Sequence, residues 1–218
     1  YKLLNKDKMA ALKILGKSSS INVRKVLWTC AEIGLEFDLT EYGSGTPHSV
    51  TTPEFLVLNP NAMVPVIQDE GLVLWESNTI CRYLAARHQR TDLLPQDPMQ
   101  RAQVEKWMDW QATELNNAWR YAFMALVRHS PSHRDTAAIE HSVREWNRHM
   151  SIADLQLQRT GTYLVGDQFT LADIVLGLSL NRWRASPIAH ANLPALQTYF
   201  DLLCKRSGYM QYGANGIA

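Results

Sequence analysis

Asn59-Pro60-Asn61-Ala62-Met63-Val64-Pro65 and Trp75-Glu76-Ser77-Asn78 bracket the stretch on which the fold turns. Within it, Val64-Pro65-Val66-Ile67 and Leu72-Val73-Leu74-Trp75 are apolar runs parted by Gln68-Asp69-Glu70-Gly71. Two short apolar runs joined by a polar turn containing glycine predict an antiparallel hairpin. Ser77 then caps a helix whose inner face is Ile80, Tyr83 and Leu84.

Upstream, Ala11-Leu12-Lys13-Ile14-Leu15 is an apolar run stopped by Gly16 and reads as a strand. Val23, Val26, Leu27 and Cys30 follow at i, i+3, i+4 and i+7, so a helix is predicted from near Ser20 to Gly34. Leu35 to Glu41 alternates as a second strand, and residues 54–58 suggest a short helix. The order is β-α-β-α-β-β-α. Its first half makes a right-handed crossover between parallel strands, and its second half adds the hairpin, giving an α+β domain with one mixed sheet.

Downstream, the text turns polar from Gln89, with Pro95 and Pro98. A linker is placed at 89–97 and an all-α helical domain at 98–218, leaving 9–88 for the α+β domain. Val104, Trp107, Met108 and Leu115 predict one long helix. Ile139, Val143, Trp146, Met150, Ala153 and Leu157 predict another, with Pro131-Ser132 breaking the two. Further helices are expected around Leu171–Leu178 and Leu193–Leu203. Thr170-Leu171-Ala172-Asp173 reads as a capping box with a structural role. Residues 1–8 are polar and lysine-rich, and Met9-Ala10-Ala11-Leu12 looks like a native start, so 1–8 are set aside as extraneous.

Lys and Arg number 22 against 21 Asp and Glu, a near-neutral balance that argues against a nucleic-acid partner. No apolar run approaches the roughly 20 residues needed to span a bilayer, so no membrane partner is expected. Cys30, Cys81 and Cys204 are odd in number and widely spaced, which fits neither a disulfide framework nor a metal site. Each reads as a small core residue, and a reducing, cytoplasmic location is expected.

Three segments stand out chemically. Lys17-Ser18-Ser19-Ser20-Ile21-Asn22 precedes or opens the first helix. A helix N-terminus presents unpaired N–H groups and partial positive charge, and hydroxyls there cap the helix or donate to an anion. Pro65 at a strand start cannot donate to the ladder, so Val64 can keep its own N–H and C=O for an extended ligand. Val64-Pro65 is also a candidate cis bond, with a simple turn proline as the alternative. Glu76-Ser77 either cap their helix or receive a ligand's ammonium and carboxylate. On the long helix predicted from Val104 and Leu115, Asn116, Arg120 and Phe123 fall at i, i+4 and i+7 and share a face that could line a pocket, with a solvated or inter-helical Arg120 as the alternative. Gly43-Ser44-Gly45 is too short for a phosphate loop.

The serine-rich helix start, then N-P-N-x-x-V-P, then W-E-S-N, at this spacing, resembles the cytosolic glutathione transferase superfamily from Met9 onward. The resemblance implies a thioredoxin-like first domain that binds glutathione as co-substrate, without a metal. It implies that Val64, ahead of a cis Pro65, pairs with the cysteinyl part of the tripeptide. Glu76 and Ser77 would hold the γ-glutamyl end. The first strand offers no tyrosine, so the chain resembles serine- or cysteine-type members, theta- or nu-like. Ser20-Ile21-Asn22 is similar to Thr-Pro-Asn in bacterial members. Ser20 and Asn22 would then hold the sulfur, with Ser18 or Ser19 as alternatives if the register slips. Met63 stands where many members carry Lys, Gln or Arg for the glycyl carboxylate, which implies either low glutathione affinity or substitution by His48 or Lys17. Asn116, Arg120 and Phe123 would line the site of a small electrophile, and a homodimer is implied. A glutathione-dependent disulfide or peroxide reductase and a non-enzymatic interaction module are the alternatives.

Overall fold

The computed structural model describes residues 11–218; the start inferred at Met9 and the segment 1–8 lie outside the described residues. Strand β1 (Leu12–Leu15), helix α1 (Ile21–Ile33), β2 (Phe37–Thr40), α2 (Pro53–Leu58), β3 (Val66–Asp69), β4 (Leu72–Trp75) and α3 (Ser77–Arg87) follow in the expected order. The sheet order is β2-β1-β3-β4. β1 runs parallel to β2, with Leu12 opposite Phe37, and antiparallel to β3, with Ile14 opposite Ile67. β4 closes the hairpin, with Ile67 opposite Leu74. This is a thioredoxin-like domain followed by helices.

Local chemistry explains the boundaries. α1 ends because Gly34 takes φ 77°, and its N–H returns to the Cys30 and Ala31 carbonyls. β3 begins at Val66, one residue after Pro65, because the proline has no N–H for the ladder. Two details differ from the sequence expectation. Glu76, not Ser77, is the N-cap of α3, and Ser77 is its first helical residue. Tyr83 is half-buried, and its hydroxyl donates to Asp69 at 2.7 Å; Ile80 and Leu84 alone of that trio are buried.

In the second part α4 (Pro98–Trp110) passes through a π-helical turn (Gln111–Leu115) into α5 (Asn116–Leu126). One unbroken helix was expected; the wider turn shifts the face of everything after it and turns Gln111 into the core. α6 (Thr136–Thr160), α7 (Leu171–Ala185), α8 (Pro194–Leu203) and α9 (Ser207–Tyr212) complete the chain. Asp97 and Asp135 cap α4 and α6, accepting from Gln100 N and Ala138 N at 2.9 Å each. Asp173 is fully buried at the start of α7. Its carboxylate accepts from Thr170 N at 2.8 Å, Leu164 N at 3.0 Å and the Tyr199 hydroxyl at 2.9 Å. No helix among the described residues is long and apolar enough to cross a membrane.

The two parts share one core. α1 packs on α3 within its own domain and on α7 and α9 of the next. Trp28 of α1 is fully buried between them, its ring 5.0 Å from Tyr209 and 5.7 Å from Phe169. The indole needs Gly208 beneath it: a Cβ there would lie 2.6 Å from Trp28 Cδ1. Trp28→Ala is therefore expected to lower the unfolding free energy by about 3–5 kcal/mol, and Gly208→Ala by about 1–3 kcal/mol. Urea unfolding followed by circular dichroism checks both, and a Trp28→Ala change below about 1 kcal/mol would show that this contact does not join the domains.

Candidate active site

A cleft of about 180 Å³ opens where the N-termini of α1 and α3 meet the loop ahead of β3. Asn22 comes from α1, Glu76 and Ser77 from the start of α3, and Asn59, Asn61, Met63, Val64 and Pro65 from the loop. Six of the residues singled out in the sequence thus line one cleft. Ser20 lies two residues before Asn22, half-buried, and is not part of that lining.

The loop is held from inside. Asn59 is buried; its amide nitrogen donates to the Met63 carbonyl at 2.8 Å, and its side-chain oxygen accepts from Asn61 N at 3.0 Å. The Asn59 carbonyl accepts from Ala62 N at 3.1 Å, and Ala62 turns with φ 54°. The Val64-Pro65 bond is cis. With the loop's polar groups bonded to one another, Val64 N–H and C=O are left without partners among the described residues. Sequence reasoning assigned no role to Asn59 or Asn61; the repeated asparagine around Pro60 was the available signal, since such side chains close turns on their own backbone.

At α3, Glu76 holds φ 75° and ψ 106°, a region a non-glycine residue enters at about 1–3 kcal/mol. Its carbonyl still accepts from Ile80 N at 2.9 Å, so the helix starts normally while its first N–H groups lie open at the cleft end. At α1, Ser20 caps with its backbone only: its carbonyl accepts from Arg24 N at 2.9 Å, and its N–H donates to the Lys17 carbonyl at 2.8 Å. Its hydroxyl makes no cap hydrogen bond. Ser18 N–H donates to the Glu41 carboxylate at 3.2 Å. Lys17, considered for a ligand carboxylate, donates to the Ser44 carbonyl at 2.7 Å, and His48 stacks on Tyr42 at 4.9 Å. Met63 is 63% exposed and brings no charge to the cleft.

The three residues on α5 occupy different settings. Asn116 is half-buried, and its side-chain oxygen accepts from Gln111 Nε2 at 2.9 Å and Trp119 Nε1 at 3.0 Å. Phe123 is buried, with the Arg182 guanidinium 4.0 Å from its ring. Arg120 is exposed. Burial pushes the Cys81 thiol up to about 11 and Cys30 higher still, so both stay protonated. No group of metal-ligating side chains forms among the described residues.

The cleft and fold meet known proteins at this point. The N-terminal domain model of glutathione S-transferases matches residues 19–87, and the C-terminal domain model matches 116–207. Glutathione S-transferase GstB of Escherichia coli (strain K12) is 36% identical over 199 residues, covering 89% of this chain and 94% of that protein. Glutathione S-transferase 3 of Zea mays is 34% identical over 177 residues, 76% of this chain and 75% of that one. The crystal structure of a theta class glutathione S-transferase from Xanthomonas axonopodis pv. citri with glutathione bound aligns at a TM-score of 0.87 and 38% identity. It covers 94% of this chain and 98% of that one. This chain belongs to the glutathione S-transferase family.

Directly behind the cleft, burial pushes the Lys25 ammonium from 10.5 down to about 8; Cys81 and Glu76 oppose the shift, while Arg182 and Arg82 add to it. The unfolded chain keeps this proton to higher pH, so between about pH 8 and 10.5 the folded state holds fewer protons than the unfolded one. The contribution of Lys25 to stability therefore rises with pH across that window, by up to about 3 kcal/mol. Urea unfolding at pH 7.5 and pH 9.5 checks this: the difference between wild type and Lys25→Met should grow in favour of wild type at the higher pH. A pH-independent difference would contradict it.

Proposed function

We propose that the cleft binds glutathione and that the protein is a glutathione transferase, delivering the tripeptide's thiolate to a small electrophile. The observation that carries this is the Ser20 hydroxyl, which leaves its own helix uncapped two residues from the cleft. An extended tripeptide would pair its cysteinyl backbone with Val64 N–H and C=O. Its γ-glutamyl end would meet Ser77 and the open N–H groups of α3, with Glu76 toward the ammonium. Its sulfur would face Ser20 and Asn22 at the start of α1.

The energetics suffice without a base. A free thiol has a pKa of about 8.5, and lowering it by about two units needs roughly 2.7 kcal/mol of preference for the anion. One hydrogen bond to a charged group gives about 1.5–3 kcal/mol, and a helix N-terminus about 0.3–1 kcal/mol. Attack by this thiolate forms the carbon–sulfur bond as the electrophile's leaving group departs with the electron pair. No cysteine is among the residues lining the cleft, and the thiols of Cys30 and Cys81 are buried and protonated, which argues against a reductase that works through a cysteine of its own. The open backbone of Val64 favours an enzyme over a non-catalytic module.

The electrophile is assigned to the face of α5 with Asn116, Arg120 and Phe123, and the division of labour to domains at 9–88 and 98–218 about the 89–97 linker. A homodimer in the cytoplasm completes the proposal. Leu72, Val73 and Trp75 on the edge strand β4 are each more than a third exposed, which supports a second copy as cover.

Ser20→Ala should lower the conjugation rate with an aryl halide about 10- to 100-fold while changing glutathione affinity less than about threefold. Steady-state kinetics with calorimetric titration separate the two. Equal loss of both, or no loss, removes Ser20 from the activating role.

A further inference from the structure

A buried polar chain behind the cleft is not used by the thiol chemistry. Lys25 lies on α1 five residues after Ser20 and is 1% exposed. Its ammonium donates to Asn78 Oδ1 at 3.1 Å and to Gln111 Oε1 at 2.7 Å. Both acceptors are neutral amides. Burying an ammonium on two neutral oxygens carries a desolvation penalty that a methionine of similar length would avoid. Stability alone is a poor reason for a cation here.

The bonds have a fixed sense, because turning either amide round would set its N–H groups against the ammonium. With its oxygen on Lys25, Asn78 donates through Nδ2 to the Met108 carbonyl of α4 at 2.8 Å. Gln111 likewise donates through Nε2 to Asn116 Oδ1 at 2.9 Å and to Ser179 Oγ at 3.0 Å. Asn116 Oδ1 also accepts from Trp119 Nε1 at 3.0 Å. One end of this chain is the residue after Ser77 in the cleft. The other end is the first turn of α5. Gln111 sits where the π-helical turn begins, and that widening brings its side chain into the core.

We propose that Lys25 is a positioning residue that couples the glutathione cleft of the first domain to the electrophile face of α5 in the second. It rests on the functional reading above. Its two donors fix the start of α3 on one side and Asn116 on the other, so both substrates are aligned from one point. The groups around the ammonium are Asn78 and Cys81 of α3, Gln111 of the π turn and, at longer range, Arg182, Glu76 and Arg82.

The test uses the full chain, glutathione and a chlorodinitrobenzene, with two variants. Gln111→Glu keeps the acceptor for Lys25 and removes the donor to Asn116 and Ser179. It should raise the electrophile KM or lower kcat roughly fivefold to tenfold while leaving the glutathione Kd within about twofold. Lys25→Met should raise both the glutathione Kd and the electrophile KM by roughly tenfold. If Lys25→Met does not fold, Gln111→Glu decides alone. Variants with lower urea midpoints but wild-type Kd, KM and kcat would overturn the coupling and leave the ammonium a structural element. Wild-type protein that binds no glutathione in calorimetry would overturn the functional reading and this proposal together.

Discussion

Two helices begin against the same loop with hydrogen-bond donors still unused, and the rest of the molecule holds them there. The N-terminal turn of α1 and that of α3 each present N–H groups that no intrahelical carbonyl can satisfy. An end of this kind is commonly closed by a capping side chain. Here Ser20 supplies only its backbone, and Glu76 sits at φ 75° so that α3 starts abruptly beside the cleft. Between them, Asn59 ties the loop to itself and leaves Val64 open. Such an arrangement favours an extended, anionic peptide, because backbone pairs with backbone and negative charge meets the positive ends of two helices.

The second domain keeps this geometry from relaxing. α1 carries Ser20 and Asn22 at its start, and its buried face packs on α7 and α9 through Trp28. The same helix sends Lys25 into the seam toward the π turn. The apolar contact sets how closely the domains approach, and the polar one sets their register, since hydrogen bonds are directional and dispersion is not.

Much of this was legible in the sequence because it rests on periodicity and punctuation. The i, i+3, i+4, i+7 spacing of Val23, Val26, Leu27 and Cys30 and the glycine at 34 define α1 to within a residue. The hairpin follows from two apolar runs around Glu70-Gly71. Val64, Pro65, Glu76 and Ser77 stood out because proline at a strand start and hydroxyls at a helix start are costly or suggestive choices. What stayed hidden depends on tertiary neighbours. The π turn leaves no mark in a pattern of apolar residues, so Val104 to Leu115 looks like a plain helix. Glu76 as N-cap was masked by the better capping residue beside it. The burial of Lys25 was not legible, because it is decided by Asn78 and Gln111, 53 and 86 residues away. Likewise Arg120 and Phe123 share a helical spacing yet differ in exposure: Phe123 is buried with the Arg182 guanidinium of α7 over its ring, while Arg120 is exposed.

The central claim is that a thiol placed beside Ser20 and Asn22 loses its proton near neutral pH. Ultraviolet difference titration of the glutathione complex measures this directly. The thiolate absorbance should rise with a midpoint about two pH units below the roughly 8.5 of the free thiol. A midpoint equal to that of free glutathione would contradict the account.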